Sequence, residues 1–288
     1  MKILLIVFLT LASVWAKPIF TNSEQADTSE YISSLKDLLV ATQKTRGMTY
    51  TYLKGDSSVV FKVMDFHKEM KEALLKLEVS ELGEDNALKS REQRLSETLI
   101  RLNKKSMKMD PDEMFTEYTI AIENILVLAN LAQIKSSEHL NELGKISVEN
   151  LLKTALPLTE KIGQLRAYGA GAVVELDSGQ ELKTQELQKI TVLLKEIEFH
   201  LRDFEIGATA VSAHYSPQMD SELKSVLDKS RDDLDIFTTL TTNIFIKERP
   251  HTITAPQYFS LGTKTIENLL TIFKLQNRAI KESSKGWF

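Results

Sequence analysis

Residues 115–126 read FTEYTIAIENIL, and residues 259–270 read FSLGTKTIENLL. The two stretches share a Phe, a Thr, the run Ile-Glu-Asn and a Leu, each 144 positions apart from its counterpart. Apolar residues recur in both at helical spacing, and the first stretch is apolar around so much of its surface that it predicts a largely buried helix. We interpret the match as a duplicated four-helix unit. Convergent patterning of bundle helices is the alternative.

The rest of the chain is typical of long amphipathic helices, and the pattern predicts eight of them. They are expected at about 29–54, 57–79, 87–105, 110–133, 147–176, 182–206, 218–247 and 256–281. Gly55-Asp56 is expected to end the first helix and cap the second, and Pro157 to kink the fifth. The predicted fold class is all-α: two up-and-down four-helix bundles forming an elongated domain over 29–283, with halves at about 29–136 and 147–283.

The first sixteen residues have the pattern of a secretory signal peptide. Met1-Lys2 gives a positive start, an apolar run follows to Trp15, and Val14-x-Ala16 is a small-residue cleavage pattern. The run is shorter than the ~20 residues that span a bilayer, which disfavours an uncleaved membrane anchor. We therefore expect an exported, periplasmic protein in which residues 17–28 form an N-terminal linker.

Composition excludes several classes of function. The chain has no cysteine, so disulfides and thiolate metal or nucleophile chemistry are excluded. Its net charge of −4 offers nucleic acid no general attraction. The five histidines are scattered, and no predicted helix contains a Glu-x-x-His pair, because the one such spacing, Glu248 to His251, falls on the turn at Arg249-Pro250. No phosphate-binding or nucleophile-elbow motif occurs in the sequence. We expect no metal, no cofactor and no catalytic residues.

One unusual segment lies near the end of the first predicted helix. It reads QKTRGMTYTYL at 43–53 and contains a glycine inside a helical pattern, which indicates close packing or a special geometry at Gly47. Arg46, Thr49 and Tyr50 lie on one side of this helix by their spacing. The segment is therefore a candidate binding face.

A second unusual segment, GQLRAYGAGA at 163–172, lies in the fifth predicted helix. Its small residues, Gly169 among them, would let a neighbouring helix approach and place Arg166 in a crowded inter-helix seam. An arginine in a partly dry seam needs an anion, which is either a carboxylate or a bound ligand. Its planar fork matches a small planar oxyanion in two-point fashion. The alternative for each arginine is a packed stem with a hydrated head.

Three motifs occur together with the eight-helix layout: Gln43-x-x-Arg46-Gly47, Tyr50-x-Tyr52-Leu53 and Gly163-x-x-Arg166. In these features the chain resembles the nitrate- and nitrite-sensing (NIT) helical domain family. The resemblance implies two four-helix bundles that bind nitrate or nitrite between helices through arginines, in a sensory role. It also relates Arg231 to a further family arginine, although the neighbouring carboxylates favour a surface salt bridge there.

Members of this family usually carry an output module, whereas this sequence ends in Lys-Gly-Trp-Phe without one. We therefore expect a non-enzymatic sensor or binding protein that relays anion binding to a separate signalling or membrane protein, with a homodimer left open. The alternative is a ligand-free structural or adaptor bundle that mediates protein–protein interaction.

Overall fold

The computed structural model describes residues 23–78, 82 and 85–283, and it is built from eight helices with no strand in these ranges. Their bounds are α1 (Ser23–Leu53), α2 (Val60–Glu78), α3 (Asn86–Lys105), α4 (Pro111–Ser136), α5 (Glu142–Asn150 and Leu156–Asp177, joined by a π-helical turn), α6 (Thr184–Ser212), α7 (Pro217–Thr241) and α8 (Ala255–Ser283). This confirms the predicted all-α class. The predicted signal peptide, 1–16, lies outside the described residues. Within them, no helix combines the length and apolarity that a membrane crossing requires.

Helix ends follow the local signals in the sequence. After α1, Gly55 adopts a φ of 120°, a backbone conformation that favours glycine, and the side chain of Asp56 accepts a hydrogen bond from the Ser58 amide at 3.0 Å. Before α4, Asp110 accepts hydrogen bonds from two amides of the first turn, and Pro111 occupies that turn. These residues satisfy the donors that a helix start leaves unpaired.

Helix α1 begins earlier than the expected position 29, so residues 23–28 belong to the helix. This polar segment is tied to the far end of the chain: the Gln25 side-chain amide donates to the Ile280 carbonyl and the Ser283 hydroxyl, both at 2.7 Å. Periodicity of apolar residues does not detect such a segment because a buried side-chain amide stabilises it.

Helix α5 contains a π-helical turn at Leu151–Ala155, which ends two residues before Pro157. Proline has no amide hydrogen and its ring crowds the preceding turn, so a regular α-helix cannot continue through it undisturbed. The Leu156 amide instead donates to the Leu151 carbonyl, five residues back. The irregularity expected at Pro157 is therefore accommodated as a π turn with one extra residue.

Helices α1 and α5 pack against each other at the junction of the two halves, α1 beside α4 and α5 beside α8. We call the buried region that these four helices enclose around Arg46 and Arg166 the central seam. Glycines allow its close contacts: a methyl group at Gly169 would meet the Tyr258 ring at 2.3 Å, and one at Gly171 would meet the Tyr50 ring at 2.5 Å. The seam is thus as crowded as its small residues indicate.

Helix α4 differs from its prediction on one face. Ile120, Val127 and Ile134 are 45 to 67% exposed, although the sequence indicates a largely buried helix. The three residues recur every seven positions on the side opposite the core, so α4 buries only one side. The equivalents 144 positions later, Lys264 and Arg278 among them, are polar.

We expect Gly169→Ala to destabilise the protein, because the added methyl group would overlap the Tyr258 ring within a packed interface. Overpacking of this kind costs about 1–3 kcal/mol. Urea denaturation measures the difference. Gly179→Ala is the control, since it adds a methyl group with no atom within 4 Å, at a turn with a φ of 75°. The cost of Gly179→Ala comes from the left-handed backbone, about 1–2 kcal/mol. A Gly169→Ala variant as stable as the wild type would contradict the overlap.

Candidate anion-binding site

Arg46 is fully buried in the central seam. Its Nη1 donates to Glu160 Oε1 at 2.6 Å and to Thr119 Oγ1 at 2.9 Å, and its Nη2 lies 3.2 Å from Glu160 Oε2. The guanidinium carbon lies 4.8 Å from the centre of the Phe115 ring. Arg46 therefore makes a two-point ion pair through its end and a cation–π contact through its face.

Glu160, on α5, is 4% exposed and is the centre of a hydrogen-bond network. Besides Arg46, it accepts from the Gln43 side-chain amide at 2.9 Å on Oε2 and from the Gln164 amide at 2.7 Å on Oε1. Each carboxylate oxygen thus has two side-chain donors. Such a carboxylate is fixed in place, because every oxygen is already satisfied.

Arg166, on α5, is 1% exposed but makes fewer bonds. Its Nη1 donates to Thr263 Oγ1 at 2.8 Å, and its guanidinium carbon lies 4.4 Å from the centre of the Phe259 ring. Among the described residues, its Nε and Nη2 have no hydrogen-bond partner. Gly262 makes room for the stem, since a methyl group there would lie 2.9 Å from Arg166 Cβ. One whole edge of a buried guanidinium is left with its donors unused.

The two arginines occupy equivalent places in the repeat. Arg46 lies against a Phe and a Thr of α4, and Arg166 lies against the Phe and Thr found 144 positions later on α8. Their counter-ions are not equivalent. Arg46 has Glu160, whereas Arg166 forms no ion pair with a described carboxylate. The repeat is therefore symmetric in its scaffold and asymmetric in its charge.

Burial and charge both act on Arg166. Its removal from water lowers the pKa of Arg166 to about 9, and the positive charge of Arg46 adds to the effect, while Glu160 and Glu267 oppose it. Two positive charges that share a poorly hydrated seam disfavour each other's charged form. The charged form of Arg166 is thus poorly compensated by the protein itself.

The other predicted residues of α1 are buried, and two of them, Gly47 and Tyr50, contact the neighbouring seam helices. A methyl group at Gly47 would lie 2.6 Å from Phe259 Cε2, so this glycine lets α1 approach α8. Thr49 is buried, and its hydroxyl makes no hydrogen bond with the described residues. Tyr50 packs edge-on against Phe115 and Tyr168, and burial raises its pKa.

Gly169 and Arg231 differ from this group. Gly169 faces Tyr258, whose hydroxyl lies 2.7 Å from Thr241 Oγ1, and it serves helix packing. Arg231 is 46% exposed on α7 and pairs with Glu205 at 2.6 Å, as its carboxylate-rich surroundings favoured. The structure therefore brings Arg46 and Arg166 together and leaves Arg231 on the surface.

Several seam residues were not identified from the sequence as site residues: Gln43, Phe115, Thr119, Glu160, Gln164, Phe259, Gly262 and Thr263. The repeat already contained a signal for two Phe-Thr pairs, because these residues match at the 144-position offset. Glu160 carried no such signal, since acidic residues are abundant on helices. Among the described residues, no group of three or more His, Asp or Glu side chains is placed to hold a metal ion.

The described helices thus form an all-α double bundle with two buried arginines in its central seam. The family model described as nitrate and nitrite sensing (NIT) matches residues 37–282, and the chain belongs to this family. A search of curated proteins gave no match.

A solved structure, that of the NasR transcription antiterminator, has a similar fold. The TM-score is 0.71 at 15% sequence identity, and the alignment covers 98% of this chain and 75% of the NasR chain. At this identity the likeness concerns the helical architecture alone.

We expect opposite effects on stability from replacing the two arginines. Arg46→Met strands the buried Glu160 carboxylate without its counter-ion, which costs about 3–5 kcal/mol. Arg166→Met removes a buried charge that lacks a carboxylate, so its free energy of unfolding should equal or exceed that of the wild type. Urea denaturation in buffer without nitrate or nitrite measures both.

Arg231→Met serves as the control for removal of an exposed, paired arginine, which changes stability by less than about 1 kcal/mol. Equal losses in Arg46→Met and Arg166→Met would contradict the asymmetry of charge in the seam.

Proposed function

We propose that this protein senses nitrate or nitrite without catalysis, binding the anion in the central seam beside Arg166. The observation that carries the proposal is the unused Nε and Nη2 edge of the Arg166 guanidinium, in a side chain that is 1% exposed. Buried donors without partners cost about 1–3 kcal/mol each. An oxyanion at this edge would remove that cost.

The shape of the donor edge suits a planar ligand. The Nε–H and Nη2–H groups of one guanidinium point the same way and are spaced for two oxygens of one group. Nitrate and nitrite both present two oxygens on one nitrogen in a plane. A spherical ion such as chloride offers a single acceptor atom, so the two roughly parallel N–H bonds cannot both point straight at it, as they can at two oxygens. We therefore place the ligand against this edge of Arg166.

Binding at this place would be coupled to helix packing. Both arginines are buried, so an anion reaches them only when α1, α5 and α8 move apart. A ligand shifts such an equilibrium by its difference in affinity between the two packings. In our proposal this shift is relayed to a partner protein that contacts the helices, and no nucleic-acid partner is invoked for a chain with a net charge of −4.

We propose a periplasmic location for this sensing. The support is the pattern of residues 1–16, with a positive start, an apolar run and the small-residue motif before position 17. The absence of cysteine from the sequence is compatible with an oxidising compartment.

A structural or adaptor role without a ligand is the second candidate. The Arg46–Glu160 ion pair favours it, because this arginine is neutralised within the chain. Arg166 distinguishes the two functions, since a purely structural seam gains nothing from a buried cation whose donors stay unused.

Calorimetric titration of the purified protein with sodium nitrate, nitrite, chloride and sulfate tests the proposal. We expect saturable binding of nitrate or nitrite, weak or absent responses to chloride and sulfate, and loss of binding in Arg166→Met. Thermal unfolding should show the same pattern, because a ligand at a hundred times its Kd stabilises by about 2.7 kcal/mol.

Arg231→Met is the matched control and should bind as the wild type does. The ligand-free alternative predicts equal, weak responses of the wild type to all four salts, and that result would overturn the sensing function.

A further inference from the structure

The central seam contains an uneven number of buried charges. Arg46 and Arg166 contribute two positive charges, and Glu160 is the one buried carboxylate that contacts either of them among residues 23–78, 82 and 85–283. Glu267, which also acts on Arg166, is exposed on α8 and is screened by water. The buried groups therefore carry a net charge of +1.

The position of Glu160 is fixed by its bonds. Two amides, from Gln43 and Gln164, and the two Nη groups of Arg46 donate to it at 2.6 to 3.2 Å. Displacing this carboxylate would leave Arg46 and both amides without their acceptor. A ligand that enters the seam is thus added beside Glu160 and does not replace it.

We infer that Glu160 determines the charge of the ligand, restricting the seam to anions that carry a single negative charge. This inference rests on the proposed binding beside Arg166 and goes further by naming the residue that sets charge selectivity. One monovalent anion brings the buried charge to zero. A divalent anion such as sulfate would leave an uncompensated negative charge out of water, which is strongly unfavourable.

The two parts of the seam then select different properties of the ligand. The Arg166 edge selects a planar group with two acceptor oxygens, and Glu160 selects charge by repelling a second negative charge. Arg46 takes part as a positioning residue, because it holds Glu160 in place through its Nη1 and Nη2.

The test is the Glu160→Gln variant, which keeps the side-chain shape and raises the buried charge to +2. We expect the ratio of sulfate to nitrate affinity to rise by at least about tenfold, since a unit charge within a few ångströms is worth more than one decade in affinity at a protein-like dielectric. Calorimetric titration with sodium sulfate and sodium nitrate measures both affinities in the full chain.

Two further variants keep the test decisive. Glu267→Gln removes the exposed carboxylate that also acts on Arg166, and we expect the sulfate-to-nitrate ratio to stay within about twofold of the wild type because exposed charges are screened. The double variant Arg46→Met with Glu160→Gln restores a buried charge of +1 and strands no ion, so it should regain rejection of sulfate even if Glu160→Gln alone does not fold.

The outcomes separate the two proposals. A wild type that binds nitrate, with a Glu160→Gln variant that still rejects sulfate, overturns the role of Glu160 and leaves the sensing function intact. Sulfate binding by the double variant overturns it as well. A wild type that binds neither nitrate nor nitrite overturns the sensing function itself.

Discussion

The burial of two guanidinium groups between the same helices is the constraint on which the centre of this protein depends. Arg46 is held by Glu160, and Glu160 by Gln43 and Gln164, so the ion pair needs α1 and α5 in close contact. Gly163 permits that contact, because a methyl group there would lie 3.0 Å from Gln43 Cδ. Helix packing and charge compensation are therefore linked at Gly163, where the charged network requires the backbones of α1 and α5 to approach.

The internal repeat accounts for the two arginines of the seam, one of which has a carboxylate partner among the described residues. Each arginine rests on a Phe and donates to a Thr of the other repeat helix in its half, so the scaffold supplies the same cradle twice. Arg46 and Arg166 are 120 positions apart, and the residue 120 positions before Glu160 is Val40. One acidic residue on one of two equivalent helices converts a symmetric framework into an asymmetric site with a neutralised side and a cationic side.

Much of the architecture could be predicted from the sequence because helix signals are local. Gly55, Asp56 and Pro111 mark helix ends through their own backbone preferences, and the two arginine segments stood out by glycines inside helical patterns. Glu160 could not be distinguished in this way, because a buried glutamate and a solvated one look the same until the partner helix is placed. The same reason applies to residues 23–28, which Gln25 anchors to α8, and to the exposed stripe of Ile120 on α4.

The π turn at 151–155 has a consequence for the geometry of the seam. Each residue added to a helix turns everything after it by about 100°. The first part of α5 meets α8 through Asn150, whose amide donates to Gln276 at 3.0 Å. The second part directs Glu160 towards α1. The extra residue therefore sets the angle, measured around the axis of α5, between the side chains that make these two contacts. The length of the π turn determines the site as much as the identity of its charged side chains does.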